Sequence, residues 1–365
     1  MSEVRLETIT AIHIGSGETL QYGNDFVRSR DGEMIGIVDT RKVMTLIGES
    51  QVDRWVQAIE RKETTDQIMQ VYAPKASIGD YTLRQMDDWA VVKHIDTLKE
   101  QLHNGFGLAY IPGSSIKGAI RTAVLASLLM GRSLEQKIKD RKGQVSAKQI
   151  EGEIFGKDPN SDVFRFLQVG DAYLGENATV ALCMVNINEK EKQVVWDKSK
   201  SQVIEAIAPN EAANFQLKLN CMQYEFSMSK VHALPFSMSS IQELFKVINK
   251  HTITLLEGEI SYWNERIEKD ESDHVRNYLS KIEALHSEAK SSHQGRECML
   301  RIGHGSGWRF ITGAWAESLT NFYTDIVSVA RPNNKRYESY DFPKTRRIDS
   351  ECELLGFVKL SIGDF

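Results

Sequence analysis

Cysteines are few in this sequence, and their spacing argues against two common kinds of stabilisation. The 365 residues contain four of them, Cys183, Cys221, Cys298 and Cys352, with no Cys-x-x-Cys pair. Structural zinc sites use closely spaced ligands, and disulfide frameworks belong to short, cysteine-dense chains. We therefore expect no metal, no cofactor and no disulfide scaffold. Scattered thiols in a chain of this length are typical of a reducing cytosol.

Long apolar runs and a recognisable secretory leader are also lacking. The longest apolar stretch, residues 119–130, contains Arg121 and is too short to span a bilayer. The opening MSEVRLETIT has no basic segment followed by an apolar run. We therefore expect a cytoplasmic protein without membrane contact.

An excess of positive charge is missing from the chain as a whole but present locally. The formal net charge is −5, which by itself does not indicate a nucleic-acid partner. Residues 110–148 nevertheless hold eight Lys/Arg against two Asp/Glu, and residues 331–347 hold six against two. Local basic surfaces can bind phosphate inside an acidic total.

The order of apolar patterns predicts an α+β fold. Alternation over residues 4–14 predicts a strand that runs into a glycine turn, and Asp31-Gly32 predicts a hairpin. Helices are predicted at residues 40–47, 53–61, 116–128, 238–267 and 272–290, and one begins near 311. Further strands are predicted at residues 108–111, 163–169, 179–187, 214–219, 298–302 and 356–360. Residues 62–105 are interpreted as a polar insertion with a helix at 87–102, and residues 137–148 as a basic loop.

The length suits two domains, and each half of the sequence contains strands, helices and a glycine loop. We expect an N-terminal domain over residues 1–200 and a C-terminal domain over 201–365, each with a helical insertion. Two ferredoxin-like (RRM-like) units fit this pattern.

The first glycine segment is His13-Ile14-Gly15-Ser16-Gly17. Two glycines that flank a serine let the backbone approach another molecule closely, and exposed amides there can hold a phosphate. A glycine turn after an edge strand is the structural alternative, and this motif alone favours it.

The second segment is Ile-Pro-Gly-Ser-Ser-Ile-Lys-Gly-Ala-Ile-Arg at residues 111–121. Ser114 or Ser115 is placed to cap the following helix, whose free amides and positive end attract anions. Lys117 and Arg121 share a helix face. Gly113 and Gly118 have P-loop spacing, but Ala119 and Ile120 stand where a P-loop has its lysine and hydroxyl, which excludes an ATPase. A capped helix with two solvated cations is the alternative.

The third segment runs from Arg301 to Arg309 and contains Gly303, His304, Gly305, Ser306, Gly307 and Trp308. Its Gly-x-Gly-x-Gly spacing does not match the dinucleotide fingerprint. Alternate glycines with two arginines and an indole suit a single-stranded RNA backbone with a stacked base. A glycine hairpin with a core tryptophan explains Trp308 equally well. Arg346 and Arg347, after Pro343, are candidates to grip phosphates or a partner subunit.

These segments together resemble the RAMP superfamily of CRISPR proteins. The marks are the His-x-Gly-Ser-Gly strand end, the Ile-Pro-Gly-Ser-Ser-Ile-Lys-Gly-x-x-Arg segment, and the late glycine loop. The late Arg-Ile-Gly-His-Gly-Ser-Gly-Trp, with a final Thr-Arg-Arg and Gly-Phe-Val-Lys-Leu, is similar to the family that caps the guide RNA 3′ end in type III-A (Csm) effector complexes.

The resemblance implies two RRM-like domains and a non-catalytic place at the end of a filament of backbone subunits. It implies crRNA and the backbone and small Csm subunits as partners, and a part in crRNA 3′-end maturation that involves host nucleases. It assigns RNA or subunit contacts to residues 15–17, 112–121 and 301–309. The alternative is a metal-independent endoribonuclease, with His13 or His304 as general base. A protein-only interaction module would leave the basic clusters unexplained.

Overall fold

The computed structural model describes residues 2–61, 63–90, 96–129, 148–188, 193–195, 201–228, 230–235, 238–265, 273–318, 322–327, 343 and 345–363. The strands are β1 Ser2–Thr8, β2 Gly15–Gln21, β3 Phe26–Arg28, β4 Met34–Val38, β5 Thr82–Asp88, β6 Thr97–Gln101, β7 Tyr110–Ile111, β8 Leu167–Val169, β9 Ala172–Tyr173, β10 Thr179–Asn188, β11 Gln193–Val195, β12 Gln202–Ile207, β13 Ala212–Leu219, β14 Glu297–Arg301, β15 Thr345–Ile348 and β16 Phe357–Ile362. The helices are α1 Thr40–Ile47, α2 Val52–Glu60, α3 Thr65–Tyr72, α4 Gly113–Leu129, α5 Lys148–Phe155, α6 Cys221–Ser227, α7 Ile241–Asn264 and α8 Asp273–Ser291.

Two large sheets and one ribbon organise these described strands. The first sheet has the order β14-β16-β1-β13-β8, with antiparallel neighbours throughout. The second has the order β2-β6-β12-β10-β5-β4-β3, with β11 and β15 also paired to β10, and β7 pairs with β9 in a ribbon. Both large sheets combine strands from residues 1–200 and 201–365. The domain division at residue 200 stays a prediction, as does the ferredoxin-like arrangement, while the mixed α+β class is confirmed.

Helices α4 and α7 cover the first sheet because their apolar residues recur at helical spacing. Ile116, Ile120 and Val124 of α4 are fully buried, in one cluster with Val4 and Leu6 of β1. Helix α7 has 24 residues and is about 36 Å long. Its first half enters this cluster and its second half enters a second cluster with α8. The long α7 therefore joins the two main cores.

Several sequence predictions are confirmed. The hairpin at Asp31-Gly32 joins β3 and β4, with Gly32 at φ +74°. The helices at 40–47 and 53–61, the two long helices, and the last strand all form within a few residues of their predicted bounds. Residues 137–147 of the predicted basic loop lie outside the described residues.

Other predictions differ from the structure. The described part of residues 87–102 is not helical: it contains the end of β5 and all of β6, which lie inside the second sheet. Of the five residues of β6, only Leu98 is apolar, because this strand faces buried charges as well as apolar core. Residues 163–166 form a 3₁₀ turn before β8, and the segment after 308 forms short π and 3₁₀ turns.

Candidate functional site

A buried histidine supports the first glycine segment. His13 is 3% exposed, and its Nδ1 lies 2.6 Å from the carbonyl oxygen of Glu205. Because a carbonyl only accepts, Nδ1 must carry the proton and donate it. Burial lowers the pKa of His13 below 6.5, so the ring is neutral at pH 7. A Cβ at Gly15 would lie only 3.2 Å from Nε2 of His13, so glycine leaves room for the ring.

The glycines after His13 form a bulge in β2, not the predicted turn after a strand. Gly15 pairs with Gln101 and Thr19 with Lys99, so three residues of β2 stand opposite Glu100 alone. The Ser16 hydroxyl donates to Glu100 at 2.8 Å and accepts from the Glu18 N–H at 3.1 Å. Gly17 has φ +99° and open space where a Cβ would stand. The bulge therefore presents bare backbone at the surface.

A buried chain of charges anchors this bulge from below. The Glu205 side chain is fully buried, and Arg84 donates to both its oxygens, each at 3.0 Å. The same Arg84 Nη2 lies 2.9 Å from Glu100, which holds Ser16. The Gln101 N–H also donates to Glu205, at 3.2 Å. We call Ser16, Glu100, Arg84 and Glu205 the Glu205 network. It ties the bulge to strands β5, β6 and β12.

The third glycine segment lies directly against the first. The His304 N–H donates to the His13 carbonyl at 2.8 Å, and the two imidazoles meet edge-on with centroids 5.8 Å apart. Gly303 has φ +81°, and a Cβ there would lie 2.7 Å from the His13 oxygen. Two segments that are nearly 300 residues apart in the chain therefore form one surface. We call residues 15–17 and 303–307 the glycine rim.

Cations lie beside the glycine rim. Partial desolvation of the ring, with His13, Lys99 and Arg347 nearby, lowers the pKa of His304 to about 4. His304 is therefore neutral at pH 7, and the positive charge at the rim comes from Lys99 and Arg347. Gly307, at φ +77°, has open space where a Cβ would stand, as Gly17 does. Exposed amides backed by two cations form a surface suited to an anionic backbone.

The middle segment forms the start of α4, but neither serine caps it. The helix begins at Gly113, so Ser114 and Ser115 lie in its first turn and the predicted cap is wrong. The Gly113 N–H donates instead to Asp171 at 2.7 Å. A Cβ at Gly113 would lie 2.2 Å from the Val169 oxygen, so this glycine is required for packing. Asp171 already supplies an anion at the helix N-terminus.

Lys117 and Arg121 share a face of α4 but differ in surroundings. Arg121 pairs with Asp162 at 2.9 Å and Glu151 at 3.1 Å, and its guanidinium lies over the ring of Phe155. Lys117 is half-buried, which lowers its pKa, and makes no hydrogen bond or ion pair within the described residues. These contacts favour a structural role for Arg121 and leave Lys117 as the cation available to a ligand.

Three of the predicted arginines also make internal contacts. Arg301 is 7% exposed and donates to the Leu355 carbonyl at 2.8 Å. Arg309 and Arg346 both pair with the buried Glu259 of α7. These ion pairs hold the third glycine segment and β15 against α7, which favours support of the rim over direct ligand contact.

The remaining residues of the third segment divide between packing and surface. Ser306 is 2% exposed, and its hydroxyl donates to the Gly303 carbonyl at 2.7 Å. Gly305 packs against Leu355 and Met184, where a Cβ would be crowded. Trp308 is half-buried against the first core cluster, with its ring 5.5 Å from that of Phe322. Packing therefore explains why a tryptophan stands at position 308, although the residue stays partly exposed.

The sequence analysis missed the Glu205 network, Lys99 and Asp171. Arg84 and Glu205 are 121 residues apart, and no local pattern relates them. Lys99 and Glu100 stand in β6, which has almost no apolar alternation. One feature of the sequence does point to this strand. The segment combines many charged residues with Leu98 and Leu102, a mixture that is unusual for a helix exposed to solvent.

The described residues contain no group of three or more His, Cys, Asp or Glu side chains arranged to hold a metal ion. No described helix is both long and apolar enough to cross a membrane. Both histidines at the rim are neutral at pH 7, and His13 is also buried and hydrogen-bonded.

Comparison with known proteins places this arrangement in a family. The profile of the RAMP superfamily matches residues 5–310, which includes both parts of the glycine rim and the start of α4. This chain belongs to the RAMP superfamily. Csm5, a CRISPR system protein of Methanocaldococcus jannaschii, is 28% identical to the RAMP chain over 181 residues. The match covers 47% of the RAMP chain and 42% of the archaeal protein, less than half of each.

Two solved structures share the fold over nearly the whole RAMP chain. One is a chain of a Csm–crRNA–target RNA ternary complex of a type III-A CRISPR-Cas system, with a TM-score of 0.72 and 18% identity over 99% of this chain and 100% of that one. The other is Csm5 of T. onnurineus, with a TM-score of 0.68 and 16% identity over 97% of this chain and 99% of that one. At these identities the likeness establishes the fold.

Proposed function

We propose that this RAMP chain is a non-catalytic RNA-binding subunit of a type III-A CRISPR (Csm) effector complex, where it caps the crRNA 3′ end. The observation that carries the proposal is the glycine rim, in which Gly17 and Gly307 expose backbone beside Lys99 and Arg347. The similarity to Csm5 and the shared fold with a chain of a Csm–crRNA complex support the choice of assembly.

The rim suits a sugar–phosphate backbone better than a single small anion. Its two open glycines lie on two separate segments, Gly17 in the bulge of β2 and Gly307 in the loop after β14, so more than one phosphate can meet bare amides. The cations beside these amides add to the affinity for a phosphate backbone, and salt weakens that contribution, as expected for RNA binding. We propose direct contacts for the predicted residues with accessible surface: Gly15, Ser16, Gly17, Ser114, Ser115, Lys117, His304, Gly305, Gly307, Trp308 and Arg347. The others position these contacts: His13, Gly113, Arg121, Arg301, Gly303, Ser306, Arg309 and Arg346.

In this role the partners are crRNA and the backbone and small subunits of the Csm complex in the cytoplasm. A cap on the 3′ end also defines how far nucleases can trim the guide. The proposed function therefore includes crRNA 3′-end maturation, in which host nucleases remove whatever RNA extends beyond the capped segment.

The adjacent His13 and His304 raise endoribonuclease activity as the second candidate. General acid–base catalysis is most efficient when the pKa of the catalytic group lies near the working pH. Burial lowers the pKa of His13, and the pKa of His304 is about 4. His13 Nδ1 is also committed to the Glu205 carbonyl. Both imidazoles are unprotonated at neutral pH, but a pKa of about 4 makes His304 a weak general base. His13 is held in the interior by its hydrogen bond, and together these features favour binding without cleavage.

A single assay separates the two candidates. The full-length protein is incubated with labelled single-stranded RNA across a salt series, with magnesium and with EDTA. We expect binding that weakens with salt and leaves the RNA intact in both conditions. Cleavage that is abolished by His304→Ala would replace the capping role with the nuclease. Absence of binding even at low salt would overturn both.

A further inference from the structure

The ribbon β7–β9 exposes aromatic rings on its outer face. Tyr110 pairs with Tyr173 and Ile111 with Ala172, and the chain before β7 folds back as a hairpin with its tip at residues 104–107. The inner face is fully buried in the first core cluster. Its members are Ala109, Ile111, Ala172 and Leu174. Strict alternation therefore directs the tyrosines outward.

The two outward tyrosines form a rigid pair. Their ring centroids are 5.4 Å apart and the ring planes differ by 28°, so the rings are stacked. Tyr173 is 50% exposed, and its hydroxyl lies 3.3 Å from Asp171 Oδ2. Phe106, at the tip of the same hairpin, is 93% exposed. One face of the pair is therefore covered by its partner ring, while Tyr173 keeps an accessible surface.

The pair stands beside the start of α4 because one carboxylate joins them. Asp171 accepts from the Gly113 N–H on Oδ1, at 2.7 Å, and from the Tyr173 hydroxyl on Oδ2. Ser114, the next residue of α4, is exposed, and Lys117 follows one turn later. The ring and the first turn of the helix are thus neighbours that share one carboxylate.

We propose that Tyr173, backed by Tyr110, is a stacking platform for one unpaired base of a single-stranded RNA. The phosphate of that nucleotide lies beside Lys117. The inference rests on the proposed RNA-binding function and adds a base subsite to it. A flat ring held by a second ring and a hydrogen bond loses little entropy when a base stacks on it. Every base offers such a face, so the platform tolerates sequence variation.

The adjacent cation favours RNA over a protein segment as the occupant. Lys117 makes no ion pair within the described residues, and its neighbouring carboxylate, Asp162, is paired with Arg121. A nucleotide supplies a phosphate that Lys117 can meet, whereas a purely apolar partner does not. Asp171 stays negatively charged while it accepts these hydrogen bonds, so the phosphate is expected to lie away from the helix start and towards Lys117, one turn further along α4.

The test uses the full-length protein and a short single-stranded RNA that carries 2-aminopurine, whose fluorescence falls when it stacks. We expect Tyr173→Ala to weaken RNA affinity roughly 5- to 100-fold and to remove the quenching. Tyr173→Phe keeps the ring and should retain both. Phe226→Ala removes a ring on α6 that is even more exposed than Tyr173, at 87%, and should change neither.

Two further measurements isolate stacking from charge. The salt dependence of binding should keep its slope in Tyr173→Ala, because no phosphate contact is lost. The effect of Tyr173→Ala should vanish with an RNA whose bases are replaced by abasic sites. Salt-sensitive binding that Tyr173→Ala leaves unchanged would overturn the platform while the capping role stands. Loss of subunit association with unchanged RNA affinity would identify the ribbon as a protein interface instead.

Discussion

Glu259 is a buried carboxylate of α7 that joins this helix to the third glycine segment and to β15. It receives Arg309 Nη1 at 2.7 Å and Arg346 Nη2 at 3.0 Å, and it accepts hydrogen bonds from Trp263 and Tyr278. Burial alone would raise the pKa of Glu259, but the two arginines bring it to about 2. The ionised form is therefore strongly favoured in the folded state.

Removal of this charge should destabilise the fold. Glu259→Gln leaves the buried Arg346 without its carboxylate partner and Arg309 with Glu317 alone. We therefore expect a loss of about 3–5 kcal/mol in the free energy of unfolding. Glu257→Gln, two residues away and 50% exposed, is the matched control and should cost about 1 kcal/mol or less. Urea denaturation measures both. Equal losses in the two variants would contradict the role given to Glu259.

The same carboxylate predicts a pH dependence. Its pKa is about 2 in the folded protein against an ordinary 4.5. The depressed pKa means that the stabilisation is complete above about pH 4.5 and is lost as the pH falls towards 2. The difference in stability between the native protein and Glu259→Gln should therefore shrink over that window.

At the scale of single elements, helix α4 contains two glycines with opposite requirements. A Cβ at Gly113 would lie 2.2 Å from the Val169 oxygen, whereas nothing lies within 4 Å of one at Gly118. Gly113→Ala should lower the melting temperature by displacing the helix start from β8. Gly118→Ala should raise stability by up to about 1 kcal/mol, because alanine favours helix. Thermal unfolding that responds in the same direction to both would be inconsistent with this packing.

The bulge in β2 depends on the Glu205 network rather than on its own sequence. Arg84→Met removes the link between Glu100 and Glu205, so the Ser16 hydroxyl loses a fixed partner. We expect faster hydrogen exchange in residues 12–22 and weaker RNA binding. Arg54→Met, on the exposed face of α2, is the control and should leave both unchanged. Unchanged exchange in Arg84→Met would show that the glycines hold the bulge alone.

Elements with a clear period were predictable, and those shaped by distant charges were not. The Asp31-Gly32 hairpin, α1, α7 and β16 follow from turn chemistry and apolar spacing. Strand β6 was mistaken for part of a helix because its polar side chains meet Arg84 and Glu205. The cap of α4 was misplaced because Asp171, far along the chain, supplies the acceptor that a local serine would otherwise provide.

At the scale of the whole molecule, the three glycine segments predicted from sequence are partly brought together. The first and third meet through His13 and His304, and α4 touches the chain after the third through the Thr122 hydroxyl. The sequence alone could identify these segments as places where the backbone can approach another molecule closely. It could not show that Arg301 and Arg346 turn inward, because the carbonyl of Leu355 and the carboxylate of Glu259 that hold them are remote in sequence.

Distribution of charge explains how an acidic chain can bind RNA. The net charge is −5, yet several carboxylates neutralise arginines inside the fold: Asp162, Glu205 and Glu259. Lys99 and Arg347 lie beside the rim, close enough to His304 to lower its pKa. Lys117 belongs to the neighbouring surface at α4.

The salt dependence of RNA affinity tests the glycine rim most directly. Each phosphate contact to a single strand contributes a slope of about −0.7 in log affinity against log salt. We predict that Lys99→Ala and Arg347→Ala each reduce the magnitude of the slope by about 0.7, while Lys250→Ala on the exposed face of α7 leaves it unchanged. Identical slopes for all three variants and the native protein would contradict the account.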